Sequence, residues 1–464
     1  MKFAPSCIAM ALALAMPVSA LAADEADLRA IREQIAALKA QYEQRISQLE
    51  QRLQQAEEKA ASRPVAAAES APIAAPAIIQ TAPASSEGTF NPGMSLILSG
   101  TYGQMRQDPA IPVTGFAMNA NNPNATQGFS LKESELGISA NIDPRFRGTA
   151  TLALAPAGGV TVENAYVDAL ALGSGLNLRF GRFFSGLGYL NEQHAHAWDF
   201  VDQPLVYRTL WDNQLGEDGL QARWLAPTDM YIELGGEIGR GRSFPGTDRQ
   251  NRNGTGAGVI FAHIGDEIGT DHNWRAGASL HETKRIDAVS TGVPDLWGTP
   301  GGVTDQFSGN SRTYGLDFVW KYAPNGNSSL TNLKLQAEYF RRKQNGLLTY
   351  NFGMPGAVTD GYAVTQSGWY LQSVWQFMPH WRVGLRYDQL DPGNASVGAL
   401  NTANVIANYG FTPKRTTAML DYSPSEFSRV RLQAARDQSR QGLSDTQIFL
   451  QYVMSLGAHG AHKF

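Results

Sequence analysis

From Met94 to Phe464 the chain repeats one pattern that few folds can use. Segments of about ten residues alternate apolar and polar side chains, and turn residues separate them. The clearest apolar sets are Leu176, Leu178 and Phe180; Leu220, Ala222 and Trp224; Met230, Ile232 and Leu234; and Trp274, Ala276, Ala278 and Leu280. The series continues with Tyr314, Leu316, Phe318, Trp320 and Tyr322, then Leu333, Leu335, Ala337 and Tyr339. Trp381, Val383, Leu385 and Tyr387 follow, and Ile448, Leu450, Tyr452, Met454 and Leu456 close it. A period of two places each set on one face of a strand. The other face is polar: Arg179, Arg223, Glu233, Glu237, Arg275, Asp317, Lys334, Glu338, Arg382, Arg386, Asp388 and Arg431.

Alternation alone fits a soluble sandwich, apolar face inward, as well as a membrane barrel, apolar face toward lipid. Connection lengths separate the two. Strands are expected near 94–105, 128–142, 147–155, 160–172, 175–185, 217–226, 229–240 and 255–264, and again near 272–284, 312–323, 330–343, 367–378, 380–389, 412–423, 427–437 and 445–458. Every second connection is tight, as at Asp143-Pro144, Gly173-Ser174, Pro227-Thr228, Met378-Pro379 and Ser423-Pro424-Ser425. The intervening ones are mostly long and polar: 106–127, 186–216, 241–254, 285–311, 344–366 and 390–411; two, 156–159 and 438–444, are short. Tight turns on one rim and long loops on the other are the layout of bacterial outer-membrane barrels, the turns being periplasmic. The phase holds through sixteen strands. The expected fold is therefore all-β, a 16-stranded antiparallel transmembrane β-barrel over 93–464.

Composition agrees without deciding. The chain has 9 Trp, 16 Tyr, 20 Phe and 47 Gly with only 17% charged residues, and no stretch past residue 22 nears the roughly 18 apolar residues of a membrane-spanning helix. A net charge of −4 gives no reason to expect nucleic acid as a partner.

The first 93 residues read differently. Residues 1–22 are expected to be a secretory signal: Lys2, an apolar run from Ile8 to Val18, then Ala20-Leu21-Ala22 for cleavage before Ala23. Cys7, the sole cysteine, lies inside it, so the mature chain is expected to have no disulfide, no Cys-ligated metal and no Cys nucleophile. Over 23–59, Leu28, Ile31, Ile35, Leu38 and Tyr42, then Ile46, Leu49, Leu53 and Ala56, trace a heptad seam with one stutter. That predicts a short α-helical coiled coil, with a single surface helix as the alternative. Residues 60–92, rich in Ala and Pro, are expected to be a semi-extended linker.

The barrel pattern, the closing amphipathic strand and the terminal aromatic Phe464 together resemble the 16-stranded Gram-negative outer-membrane porin superfamily, in its phosphate-selective-type and related branch. The stretches Asn191-Glu192-Gln193-His194-Ala195-His196-Ala197-Trp198-Asp199 and Ser455-Leu456-Gly457-Ala458-His459-Gly460-Ala461-His462 resemble a proteobacterial porin-like family of unassigned solute. The resemblance implies a homotrimer in outer-membrane lipid, a coiled coil in the periplasm, and passive diffusion of small hydrophilic solutes or ions. It implies no cofactor and no catalysis.

The same resemblance implies that the long connection 186–216 folds into the barrel and narrows it. It carries Glu192, His194, His196, Asp199, Asp202, Arg208 and Asp212, with Trp198, Phe200, Tyr207 and Trp211 to pack it against the wall. Acidic groups there would ease a cation or a neutral solute over an anion. His194 and His196 are speculative ligands for a metal such as zinc, a weak signal against ordinary loop histidines. On the expected wall, Arg179, Arg223, Arg275, Arg382, Arg386, Arg429 and Arg431 are offset by Glu135, Asp168, Glu233, Glu237, Asp317, Glu338 and Asp421. That balance predicts weak selectivity rather than a phosphate ladder.

Three other functions fit the sequence less well. A zinc-related uptake channel is the alternative transport role. An outer-membrane enzyme would need a nucleophile or paired-carboxylate constellation, and no GxSxG motif is present. A plugged, energised receptor needs about 22 strands, whereas the 372 residues from 93 to 464 provide for sixteen of about 23 residues each, connections included.

Overall fold

A computed structural model describes residues 92–108, 111–118, 126–132, 134–154, 158–170, 172–247, 253–291 and 303–457. Of the signal, coiled coil and linker expected over 1–92, residues 1–91 lie outside the described residues, as does the segment 458–464 with its terminal aromatic.

The sequence alternation becomes sixteen antiparallel strands in one closed sheet. They are β1 (Gly93–Gln104), β2 in two pieces (Gly128–Leu131 and Ser134–Asn141), β3 (Phe146–Leu154), β4 (Val160–Ala169), β5 (Leu176–Phe184), β6 (Gly216–Leu225), β7 (Tyr231–Gly239) and β8 (Ala257–Ile268). The second half is β9 (His272–Thr291), β10 (Thr304–Tyr322), β11 (Asn332–Tyr350), β12 (Val358–Met378), β13 (Trp381–Asp391), β14 (Lys414–Ser425), β15 (Ser428–Gln438) and β16 (Asp445–Gly457). Each pairs with its sequence neighbour, and a two-residue bridge at Ser396–Val397 adds a contact in the connection before β14. Closure comes from β1, which pairs with β2 on one side and with β16 on the other, Ser95 opposite Gly457 through Gln104 opposite Ile448. A barrel leaves no unpaired edge, the condition a sheet must meet in hydrocarbon.

The two faces carry the chemistry the alternation predicts. Leu234, Ile260, Leu316, Leu371, Trp375, Leu385, Leu432 and Leu450 are exposed on the outside. On the inward face of these and neighbouring strands, Gln221, Glu237, Asp317, Glu338, Arg386, Arg431 and Gln433 are buried. An apolar exterior around a charged interior is an inside-out soluble protein, and it is stable only where the outside meets lipid.

The tight rim is built by turn chemistry. Asp143 accepts hydrogen bonds from the backbone N–H of Arg145 (2.7 Å) and Phe146 (2.9 Å), and His380 turns the β12–β13 hairpin in the left-handed region at φ 71°. On the opposite rim the structure departs from the expected strands. β9 to β12 run 20, 19, 19 and 21 residues, so much of the expected loops 285–311 and 344–366 is paired strand. A spanning strand needs only about 9–11 residues. Beyond that length both faces carry polar side chains, as in Arg341-Arg342-Lys343-Gln344, and the alternation that marks a strand disappears from the sequence.

Candidate functional site

Between β5 and β6 the chain leaves the wall and enters the barrel. This connection, 185–215, holds a 3-10 turn at Ala195–Ala197 and one short helix, α1 (Leu205–Trp211). Pro204 sets the entry to α1, and Asp212 in the left-handed conformation (φ 54°, ψ 46°) ends it. Every residue of α1 is buried. Leu205, Val206, Tyr207, Leu210 and Trp211 join Phe261, Phe340, Tyr370 and Leu390 of the wall, together with Val113, Phe116 and Met118 of the connection after β1, in one apolar cluster. Trp211 meets Phe340 edge-on at 4.8 Å, and its indole N–H donates to His281 Nδ1 at 3.2 Å. A loop in water would expose these rings; here burial of about 25 cal/mol per Å² holds it inward.

Polar groups fix the loop's path. Asn191 closes its base, donating to the carbonyls of Ser185 (2.8 Å) and Leu215 (2.9 Å) and accepting from Leu215 N–H (2.8 Å). Glu237 of β7 accepts from Gly186 N–H at 2.8 Å. Glu338 of β11 accepts from the N–H of Tyr189 (3.0 Å) and Leu190 (3.2 Å) and from the hydroxyls of Tyr207 (2.8 Å) and Tyr370. Asp388 of β13 accepts from Leu205 N–H at 2.9 Å, and Gln433 of β15 accepts from Val201 N–H at 2.8 Å. These wall strands lie on different sides of the barrel, so the loop crosses the interior.

Three of the loop carboxylates are matched by wall cations. Asp199 pairs with Lys334 and with Arg382 (3.3 Å), while Arg382 also clasps Asp421 at 3.0 and 2.6 Å. Asp202 pairs with Arg386 (3.0 Å) and Arg415 (2.5 Å). Glu192 pairs with Arg223, which also reaches Glu233 at 3.4 Å. Burial opposes the charge on Asp202, but Arg415, Arg386 and Arg208 outweigh it and hold the carboxyl well below its usual range. Asp199 is held low in the same way, by Lys334 and Arg382. At Glu192, Asp199 and Asp202 the acidic loop expected from sequence thus docks onto cations of the wall.

The sequence-selected wall residues divide into two groups. Arg179, Arg223, Arg275, Lys334 and Arg382 keep side-chain exposures of 16–23%. Arg179 forms a two-pronged pair with Asp168 (2.8 and 3.1 Å), and Arg275 donates to Gly188 O at 3.0 Å. By contrast, Glu237, Asp317, Glu338 and Arg386 lie under the loop at 5% exposure or less, as supports rather than open surface. Glu233 accepts from His263 Nδ1–H at 2.9 Å and keeps partial exposure. Arg208 is buried at 5%, and Asp212 caps α1.

His194 and His196 stack at 5.8 Å between ring centres. His194 Nδ1 lies 3.1 Å from Glu135 Oε2 of β2 and 2.9 Å from Glu163 Oε2 of β4, and His196 Nδ1 lies 3.0 Å from Glu135 Oε1. Sequence reasoning missed Glu163 and Asn164. Adjacent residues cannot both face inward in a regular strand, but β4 carries a bulge there: Thr151 opposes Asn164, Leu152 opposes Val162, and Glu163 is the extra residue.

No family model matches the chain. It is 28% identical over 406 residues to an uncharacterized protein of Aquifex aeolicus (strain VF5), covering 82% of this chain and 81% of that one. Among solved structures it is similar to OmpT, an outer membrane protein of Vibrio cholerae in its trimer form, at 11% identity and TM-score 0.48 over 79% of this chain and 99% of that one. It is also similar to the outer membrane channel DcaP of Acinetobacter baumannii, at 12% identity and TM-score 0.42 over 79% and 97% of the two chains.

Proposed function

We propose that the chain is an outer-membrane porin, a narrowed, weakly selective channel for passive diffusion of small hydrophilic solutes or ions. The observation that carries this is the loop 185–215, buried inside a closed barrel whose exterior is apolar and whose interior is charged. Partly exposed Arg179, Glu192, Arg223, Lys334 and Arg382 supply wet, polar surface inside it. Because the charges of both signs sit in pairs, a permeating ion meets alternating short-range fields rather than one sign. The loop residues Glu192, His194, His196, Asp199, Asp202, Arg208 and Asp212 form the constriction in this account.

The working assembly is a homotrimer in the outer membrane of a Gram-negative bacterium, with residues 23–59 as a periplasmic coiled coil. Linkage of three barrels would raise the effective concentration of three such helices. Liposome swelling tests the transport function. Vesicles holding the folded protein should swell in small sugars and amino acids at rates that fall steeply with solute size, with little difference between anions and cations. Rates equal to empty vesicles for every solute would refute it.

A further inference from the structure

Three ligand-bearing side chains from three separate elements meet where the loop touches the wall. His194 comes from the loop, Glu135 from β2 and Glu163 from β4, and their ligand atoms all lie within 4.8 Å of one another. His194 Nδ1 is 3.1 Å from Glu135 Oε2 and 2.9 Å from Glu163 Oε2. Metal–ligand bonds of about 2.0–2.1 Å to nitrogen and oxygen imply edges of roughly 3 Å between neighbouring ligand atoms. The two edges from His194 already have that spacing.

The wall is shaped for it. The bulge in β4 turns Glu163 inward beside Asn164, a distortion that costs ladder pairing and is typical next to functional sites. Asn164 is 5% exposed, its Nδ2 lies 2.9 Å from His194 Nε2, and its Oδ1 has no hydrogen-bond partner. A half-turn of that amide exchanges its ends. Oδ1 then accepts from Nε2–H, as an outer partner of a metal-bound histidine does. The same turn lets a neutral imidazole present its Nδ1 lone pair, beside the two carboxylates, to a cation that displaces the proton. Glu135 is in turn supported on its other oxygen by His196 Nδ1 at 3.0 Å. The imidazole side chain of His194 is 24% exposed, so a hydrated ion can reach it from the lumen.

We propose that Glu135, Glu163 and His194 bind one divalent transition-metal cation of the zinc type, with Asn164 and His196 as supporting partners. One imidazole and two carboxylates, with water in the remaining position, suit Zn²⁺ or Co²⁺ better than a hard cation that prefers oxygen alone. A cation held there ties the loop to two wall strands at once. The site stands apart from conduction: a chain that conducts nothing can still bind the ion, and a conducting chain can fail to bind it.

The test is Co²⁺ titration of the untagged, chelator-treated full chain, folded in detergent, followed by visible absorption and then by Zn²⁺ competition. One Co²⁺ per chain is expected, displaced by Zn²⁺. Affinity should fall about tenfold or more in Glu163→Gln and His194→Gln and stay unchanged in His380→Asn. An anomalous scattering peak from Zn²⁺-soaked wild-type crystals needs no variant and should lie between Glu135, Glu163 and His194. Absence of saturable Co²⁺ binding, affinity unchanged in both ligand variants, or a Zn²⁺ peak only elsewhere overturns the proposal.

Discussion

Asp202→Ala should unclasp the loop from the wall. Asp202 is the ion-pair partner of Arg386 (3.0 Å) and Arg415 (2.5 Å), and both guanidinium groups are buried at 2% exposure or less. It also accepts from Gln433 Nε2 at 3.0 Å. Breaking a buried pair by removing one partner costs about 3–5 kcal/mol, because the stranded charge keeps its desolvation penalty. Arg386 retains Asp388 at 3.1 Å and the Asp202 carbonyl at 2.7 Å, so the low end applies here. About 3 kcal/mol corresponds to a rise of roughly 100-fold in the undocked population. Arg208, buried at 5%, lies six residues downstream in the same loop and is a tryptic site that only the undocked loop presents. When reclosing outpaces cleavage, the cutting rate follows the open population. The rate at Arg208 in folded protein should therefore rise roughly 100-fold in Asp202→Ala, and less in Asp202→Asn, which keeps the shape and the contact to Gln433. A rate within about threefold of wild type in Asp202→Ala would show that Asp202 is no anchor and that apolar packing alone seats the loop.

Other outcomes follow from the same geometry. Gly368 of β12 faces α1, where a Cβ would sit 2.3 Å from Leu390 Cδ2 and 2.8 Å from Val206 Cγ2, so Gly368→Ala should cost about 1–3 kcal/mol and speed cleavage at Arg208; an unchanged rate would contradict that packing. The carboxyls of Asp199 and Asp202 are both held low, so their contribution to docking is complete above about pH 4 and is lost as pH falls toward their folded values. Near-UV circular dichroism should accordingly stay level from about pH 8 to 5 and change only below about 4; a transition near neutral pH would argue against these anchors. Leu432, 50% exposed on the outer face, should cost about 2–4 kcal/mol as Leu432→Arg when folding is measured into lipid vesicles, and no loss would mean that this face does not meet hydrocarbon.

Most of the barrel is legible in the chain because lipid and lumen impose opposite demands on alternate residues. Where that contrast is strong, as from Tyr314 to Tyr322 or from Ile448 to Leu456, the strands fall where the alternation puts them. Where strands rise beyond the need for an apolar outer face, as in β11 from Arg341 onward, the same hydrogen-bonded ladder continues without its signature. The inward course of the loop follows from Trp198, Phe200, Tyr207 and Trp211, four large rings with no other shelter. Its anchors do not. Glu338 and Glu237 read as lumen charges, and only the folded chain brings backbone N–H groups of the loop onto them. The partner of His194 was hidden more thoroughly: Glu163 takes its inward direction from a bulge, which shifts the period by one residue and defeats any count by twos.

Single-channel recording in a planar bilayer tests the central claim most directly. Wild-type protein should give stepwise conductance with a reversal potential near zero under a salt gradient. Trp211→Ala should conduct more, because loss of a ring 1% exposed removes about 3–5 kcal/mol of loop packing. A correctly folded barrel that stays silent in both forms would contradict the channel itself. Equal conductance from the two forms would contradict the loop as its constriction.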